Sequence, residues 1–572
     1  MKYLSTNAFL QKLDKDKRYC FVLGSGASIS SGIPTGAKLM DSWIEEIKQA
    51  GVYTVEMDRR INILEKQNSQ VDSPYSKYRD PTYQPDITSS LEDYSRICEL
   101  RFADDPKMER EYLYNLMNGK LPYIGYWALA NILIRTESKF VITTNFDELV
   151  ENAIRDYTDK DPIIISHEAV SPDVPIELMS DRPRIMKVHR DITTGPFNTI
   201  RTTLELKPEW KKALNQIFKD YIPIVVGYAG TDQTLTKFLL EEAEGEGIYW
   251  CHMYGSLPNK TVEKIVKQRD GNMVEIWEFD HIMLHMASLL CDDKIFDKHI
   301  IGETFGSDIY QGYTSYHSYG PIGSLRRLGK EKNIRQAYKK ALKRSPTPIS
   351  YIALFKALRG SRLVKGGKFE AALKAYENAF NYEMKKNDRY YGKAKFLSLI
   401  PLIELNRVDE AEAICEEVLV KDFSDAGNKY IRTRINIKYI QTLVKVGKRH
   451  KACNVSEQLL EHHRCDGDIY RVAAIAEFAH GNDNKAIEYV NCAIECDTND
   501  AKEKDIGRGY LLRAVFGYVN GNDHVDEDID LSLSHGYYNS RVTEIMRHYS
   551  KEKKLADRTE LLQIIIGKVR IS

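Results

Sequence analysis

The chain has 572 residues, more than one hydrophobic core usually supports, so we expect two or more domains. Its 82 basic and 82 acidic residues cancel, which gives no support to a nucleic-acid-binding surface. The nine cysteines form no Cys-x-x-Cys pair, so neither a disulfide framework nor a zinc site is predicted. The N-terminus lacks an apolar signal segment and no stretch resembles a membrane span, which predicts a soluble, cytoplasmic protein.

The first half of the chain alternates short apolar runs with helical stretches. The runs are rich in β-branched and aromatic residues, as in strands that are buried on both faces of a parallel sheet. They are 19–24, 139–145, 162–166, 184–189, 222–228, 248–255 and 273–279. With helical patterns between them, they predict a doubly wound, Rossmann-like α/β domain over residues 1–295.

Two segments depart from this alternation. Residues 52–122 are polar, rich in tyrosine and helical in pattern, which predicts an inserted helical subdomain. Residues 296–325 are dominated by Gly, Ser and Tyr without periodicity, which predicts a linker.

Residues 326–572 are predicted to form an all-α helical-repeat solenoid. Small or apolar residues recur there at intervals of 34 to 41, and in four units an alanine stands seven positions earlier, on the same helix face. The recurring residues are Ala341, Ala379, Val418, Leu459 and Ala493, and the alanines are Ala372, Ala411, Ala452 and Ala486. The pattern resembles tetratricopeptide repeats, in which small residues let paired helices pack closely.

The turn after the first predicted strand, "GSGASISSGIP" (24–34), contains the candidate nucleotide-binding glycines. Gly24 and Gly26 would let the backbone approach a phosphate at a helix N-terminus. A full dinucleotide fingerprint needs a third glycine at position 29, where Ile29 stands, and an acidic residue about twenty positions beyond the turn that ends a second strand. The sequence therefore does not predict a plain dehydrogenase turn, and a purely structural tight turn stays the alternative.

Four segments in this order resemble motifs of the sirtuin family. The 24–34 turn resembles the sirtuin opening motif, and "TTNFD" (143–147) resembles the Thr-Gln-Asn-Ile-Asp signature. "KVH" (187–189) resembles Lys-Leu-His-Gly, and "VVGYAGTD" (225–232) resembles the later Gly-rich turn. Each lies at the carboxyl end of a predicted strand, where doubly wound sheets bind ligands.

The departures from the sirtuin pattern point to one branch of that family. Sirtuin deacylases carry two Cys-x-x-Cys pairs for a zinc ribbon, and this chain has none. Thr35-Gly36 stands where Asp-Phe-Arg is expected, Thr144 replaces the signature glutamine, and Arg190 replaces the glycine after the histidine. This pattern resembles the divergent sirtuin-like domains of bacterial antiphage systems, which hydrolyse NAD+ and are often fused to a sensing module.

The resemblance implies NAD+ as substrate, no metal, and a role for each matched residue. Asn145 would hold the attacking water or contact the ribose hydroxyls, and His189 would accept a proton. Asp147 would contact the nicotinamide carboxamide. The other predicted NAD+-binding residues are Gly24, Gly26, Ala27, Ser28 and Ile33 in the opening turn, and Gly227, Tyr228, Gly230 and Thr231 on the adenosine side.

Simpler interpretations stand beside these roles. Asn145 could cap the helix that starts near Asp147, and His189 could be an ordinary loop histidine. His281 and His285 are spaced as metal ligands on a helix, but no third ligand accompanies them.

Three functions stay open at this point. The first is an NAD+ hydrolase that acts as an abortive-infection effector, controlled by the repeats. The second is an NAD-dependent protein deacylase or ADP-ribosyltransferase, and the third is a non-catalytic NAD-sensing scaffold. For the first, we expect a homo-oligomer and a phage protein or partner subunit bound to the repeats, with neither a membrane nor a nucleic acid as partner.

Overall fold

The chain divides into two compact units, 1–253 with 257–300 and 254–256 with 301–572. The computed structural model describes residues 1–51, 53–68, 75–80, 82–83, 92–105, 107–158, 160–166, 181–189, 206–231, 233–256, 258–291, 363–364, 367–384, 393–405, 407–419, 426–521, 524–537, 558, 561–562 and 565. The predicted linker 296–325 and the first predicted repeat position, Ala341, lie outside these residues. Among the residues described, no helix has both the length and the apolar character needed to cross a membrane.

The first unit is built on one eight-stranded, all-parallel sheet. Its strands are β1 (Lys2–Ser5), β2 (Tyr19–Leu23), β3 (Phe140–Thr143), β4 (Ile163–Ile165), β5 (Arg184–Lys187), β6 (Ile222–Val226), β7 (Tyr249–Met253) and β8 (Asn272–Ile276). Their order is β1-β8-β7-β6-β2-β3-β5-β4, and every neighbouring pair is parallel. The central register places Phe21 of β2 between Val141 of β3 and Ile224 of β6. The predicted doubly wound sheet is confirmed.

Each predicted apolar run overlaps one of the strands β2 to β8, whereas β1 was not predicted. This edge strand has four residues, of which Leu4 alone is buried. It pairs with β8, far away along the chain. A strand this short and half-exposed leaves no continuous apolar run in the sequence.

Helices cover both faces of the sheet. They are α1 (Thr6–Lys12), α2 (Gly36–Gln49), α3 (Tyr53–Asn68), α4 (Glu92–Arg101), α5 (Lys107–Met117), α6 (Ile124–Arg135), α7 (Leu149–Tyr157), α8 (Pro208–Asp220), α9 (Gln233–Glu241), α10 (Lys260–Gln268) and α11 (Phe279–Leu290), with 3-10 helices at Ser25–Ser31 and Ser76–Arg79. On one face, Cys20 and Val22 of β2 share a core with residues of α8, α9 and α10. The helices α1, α6, α7 and α11 pack together, and α1 and α11 also contact β8.

The helices α2 to α5 enclose a second core. Trp43 of α2 is fully buried at its centre, and its ring lies 5.3 Å from Tyr94, 5.9 Å from Phe102 and 6.3 Å from Tyr112. The described part of 52–122 is therefore helical, as predicted, but its core also includes α2, which precedes the predicted insertion.

The second unit is a run of helices. They are α12 (Phe369–Met384), α13 (Lys393–Glu404), α14 (Val408–Leu419), α15 (Ala426–Lys445), α16 (Arg449–His462), α17 (Gly467–His480), α18 (Asp483–Asn499), α19 (Glu503–Val519) and α20 (Val525–Ser534). Each helix packs on the next, and α13 also packs on α15, α15 on α17, and α17 on α19. The four alanines predicted to allow close packing, at 372, 411, 452 and 486, are all buried. Stacking of alternate helices is the arrangement expected of a solenoid, and the assignment to tetratricopeptide repeats stays a prediction.

Candidate functional site

The four segments singled out in the sequence lie side by side in the sheet. They follow β2, β3, β5 and β6, and these strands are adjacent in the order β6-β2-β3-β5. Because all four are parallel, their carboxyl ends meet at one edge. After β2 the chain continues to β3 on one side of the sheet, and after β6 it continues to β7 on the opposite side. The direction of the strand order therefore reverses between β2 and β6, and ligands bind at such switch points in sheets of this kind.

At the switch point, the two Gly-rich turns pack directly against each other. The Gly24 amide donates to the Val226 carbonyl (3.2 Å), and the Gly26 amide donates to the Gly227 carbonyl (2.9 Å). A methyl group on Gly26 would lie 2.8 Å from the Gly227 Cα, which no ordinary packing tolerates. This contact explains why glycine is required at position 26, and the sequence alone did not reveal it.

The amides of the opening turn have partners within the protein. In addition to the Gly26 amide, the Ala27 amide donates to the Gly24 carbonyl (3.0 Å). The 3-10 helix Ser25–Ser31 ends at Gly32, whose φ of 82° lies in the left-handed region that favours glycine. The buried Ile33 then donates its amide to the Ser28 carbonyl (3.2 Å). The predicted contacts of this turn with phosphate stay a prediction, and they require donors other than the amides of Gly26 and Ala27.

Asn145 does not cap a helix. Its side-chain Nδ2 donates to the Gly24 carbonyl (3.1 Å) and to Ser28 Oγ (3.2 Å), which ties the end of β3 to the opening turn. The N-cap position of α7 is Glu148, and the Leu149 amide at the start of the helix donates to Asp147 Oδ1 (3.2 Å). With both Nδ2 hydrogens committed, the Asn145 side chain can offer a ligand its oxygen, which accepts a hydrogen bond from water or a hydroxyl.

Asp147 belongs to a buried polar network. Its Oδ2 accepts a hydrogen bond from Ser28 Oγ (2.7 Å), and the same hydroxyl lies 2.9 Å from the Tyr126 hydroxyl. Burial raises the pKa of Asp147 above its ordinary value, against the lowering effect of the Ser28 hydrogen bond. Burial likewise raises the pKa of Tyr126. Because Ser28 Oγ also accepts a hydrogen bond from Asn145 Nδ2, the network fixes the Asn145 side chain.

A buried ion pair lies next to this network. Lys187, at the end of β5, pairs with Glu151 of α7 (2.8 Å), and the two side chains are 1% and 3% exposed. Its ammonium also donates to the Asp147 backbone carbonyl (2.8 Å). Burial raises the pKa of Glu151, and the charge of Lys187 opposes this shift. Sequence reasoning assigned no role to Tyr126, Glu151 or Lys187; the one local signal was a lysine ending the otherwise apolar run "IMK".

The remaining predicted residues lie on the same edge. His189 is buried, two residues after β5, and the turn before it is held by the Val188 amide, which donates to the Thr143 carbonyl (3.0 Å). On the β6 side, the Tyr228 carbonyl accepts from Trp250 Nε1 (3.2 Å). Gly230 lies against Val262, and Thr231 is buried.

Comparison with known proteins identifies one region. Residues 139–266 match the model of a SIR2-like domain. SIR2-like domains bind NAD+ and form a family of NAD-dependent enzymes. The matched range contains Asn145, Asp147, His189 and the β6 turn, whereas the opening turn precedes it. No curated protein matches the chain. Among the described residues, no group of three or more His, Cys, Asp or Glu side chains is placed to hold a metal ion.

Proposed function

We propose that the first unit is an NAD+ glycohydrolase, which releases nicotinamide and leaves ADP-ribose. The observation that carries the proposal is the position of Asn145. It lies within the SIR2-like range, at the end of a central strand, with both Nδ2 hydrogens committed so that its oxygen is the group available to a ligand.

The residues at the sheet edge suit this reaction. When the nicotinamide–ribose bond breaks, the ring nitrogen keeps the bonding electron pair, and positive charge develops on the ribose. A water molecule then attacks the anomeric carbon and loses one proton. The oxygen of Asn145 orients that water by accepting one of its hydrogens, and His189 accepts the proton that is lost. Asp147 holds Ser28, and through it Asn145, and in this proposal it also contacts the nicotinamide carboxamide.

The two turns would bind the rest of the substrate. In this proposal, residues of the opening turn (Gly24, Gly26, Ala27, Ser28 and Ile33) shape the phosphate and ribose side. The β6 turn (Gly227, Tyr228, Gly230 and Thr231) shapes the adenosine side. Support comes from the direct packing of the two turns at the switch point of the sheet, where nucleotides bind in folds of this class.

The helical unit would control the enzyme as part of an antiviral abortive-infection response. An enzyme that depletes NAD+ must be silent at rest, so its activity should depend on a conformational or oligomeric change. Stacked helices offer an extended surface for a phage protein, a partner subunit or a second copy of the chain. If assembly controls activity, the specific activity of the full chain rises with protein concentration. If infection controls it, cellular NAD+ falls after phage challenge in bacteria that express the chain, and stays constant in cells that express Asn145→Ala.

The decisive experiment follows nicotinamide and ADP-ribose after the purified full chain is mixed with NAD+, over a range of protein concentrations. The proposal predicts release without any acylated peptide, abolished by Asn145→Ala and by His189→Ala. Release only when an acyl-lysine peptide is added would identify a deacylase instead. Bound NAD+ with no turnover at any concentration, before or after phage challenge, would identify a sensor.

A further inference from the structure

The opening turn carries no charge of its own. From Gly24 to Ala37 the sequence contains no acidic or basic residue, and the first charged residue is Lys38, which lies exposed in the first turn of α2. A nucleotide diphosphate brings two negative charges to such a turn. The amides of Gly26 and Ala27 donate within the protein, and residues 24–37 supply no cation, so any cation that binds the diphosphate comes from another part of the chain.

Lys187 is unsuited to that task. It is the basic residue at the end of β5, but its ammonium is buried, paired with Glu151 and bonded to the Asp147 carbonyl. A group held in this way cannot turn to a ligand without leaving a buried carboxylate alone.

Lys120 lies next to the opening turn. It belongs to the connection between α5 and α6, and a methyl group added to Gly32 would lie 3.5 Å from its Nζ. Its side chain is half-buried, and within the part of the chain that the structure describes its ammonium forms no ion pair.

The connection that carries Lys120 is tied to the same turn. The Tyr123 amide donates to Ser31 Oγ (3.1 Å), and the Tyr157 hydroxyl donates to the Pro122 carbonyl (2.9 Å). Directly after it, α6 starts at the buried Ile124. These hydrogen bonds fix the backbone near Lys120 relative to Ser31 and Gly32. The Lys120 ammonium has no ion-pair partner among the described residues, so it can bind a ligand.

We propose that Lys120 binds the diphosphate of NAD+, so that the helical insertion supplies the charge that the opening turn lacks. The inference rests on the proposal that this site binds NAD+. It gives the segment before α6 a direct part in substrate binding and makes the diphosphate the group that this segment recognises.

The test compares binding of two probes by calorimetry. ADP-ribose carries the diphosphate and cannot lose nicotinamide, whereas adenosine lacks the diphosphate. For Lys120→Met we expect the Kd of ADP-ribose to rise about tenfold, as for the loss of one charge-assisted hydrogen bond, and the Kd of adenosine to stay constant. Lys120→Arg should retain most of the affinity. Lys38→Ala removes an exposed charge near the same turn and should bind both probes like the parent chain.

The outcomes separate this inference from the proposed reaction. Equal Kd values of ADP-ribose for Lys120→Met and the parent chain overturn the inference, whatever the turnover. Weakened binding in Lys120→Met, with no nicotinamide released by the parent chain at any protein concentration or in phage-challenged cell extract, supports Lys120 and contradicts the hydrolase. A parent chain that binds neither NAD+ nor ADP-ribose contradicts both.

Discussion

Ser28 is the residue whose removal tests the buried network most sharply. Its side chain is fully buried, and its hydroxyl contacts three groups: Asp147 Oδ2 at 2.7 Å, the Tyr126 hydroxyl at 2.9 Å and Asn145 Nδ2 at 3.2 Å. Ser28→Ala removes these bonds without emptying a large volume. The dominant loss is the hydrogen bond to a buried carboxylate, so we expect the free energy of unfolding to fall by about 3 kcal/mol.

The matched control is Ser30→Ala. Ser30 lies on the same 3-10 helix, but it is exposed, so the same substitution should change stability by less than about 0.5 kcal/mol. For a unit of this size, about 3 kcal/mol corresponds to a fall in melting temperature of about 6 °C. Differential scanning calorimetry of the full chain, following the transition of the first unit, measures both variants.

The pH dependence gives a second readout. Because burial raises the pKa of Asp147 in the folded state, the stability linked to its proton is present below the unfolded pKa and is lost as pH rises through the folded pKa. Ser28→Ala raises the folded pKa further, since the lost hydrogen bond favours the charged carboxylate. The variant should therefore lose more stability at about pH 8 than at about pH 5. Equal melting temperatures for Ser28→Ala and Ser30→Ala, or a larger loss at low pH, would refute the network.

Two further variants test other parts of the molecule. Gly26→Ala places a methyl group 2.8 Å from the Gly227 Cα, so it should lower the melting temperature of the first unit by about 2–6 °C, and an unchanged melting temperature would contradict the turn contact. Gly51→Ala, where a methyl group meets nothing within 4 Å, should leave it unchanged. In the helical unit, Arg471→Met removes the cation paired with the buried Asp497 and with Asp468, so calorimetry should show a loss of about 3–5 kcal/mol at pH 8. Burial raises the pKa of Asp497 to about 6, and the loss of Arg471 raises it further, so that loss should shrink as the pH falls from 8 towards 6, and a loss independent of pH would exclude this pairing.

The sequence predicted the sheet well because strands buried on both faces leave continuous apolar runs. It also predicted that Asn145, Asp147 and His189 lie at one edge of the sheet, since residues at the carboxyl ends of adjacent parallel strands meet in space, and their roles stay predictions. It missed β1, which is an edge strand with little apolar surface.

The supporting residues were not predictable in the same way. Tyr126 meets Ser28 across 98 positions of the chain, and Lys187 reaches the Asp147 carbonyl across 40. No local sequence pattern predicts contacts between residues so far apart in the chain, because these contacts depend on how α6 and β5 pack around the end of β3. The tight contact between the turns after β2 and β6 was not predictable either. The sequence suggested glycines there for binding a ligand, whereas the structure shows that Gly26 is also needed for the two turns to pack.

The most direct test of the central claim is the initial rate of nicotinamide release from NAD+ by the full chain, beside an Asn145→Ala variant, with both proteins assayed well below their melting temperatures. The account predicts release by the parent chain, at least in phage-challenged cell extract, and a loss of at least about a hundredfold in the variant. Equal rates in the two proteins would show that Asn145 takes no part in the reaction, and the absence of release under every condition would contradict the hydrolase.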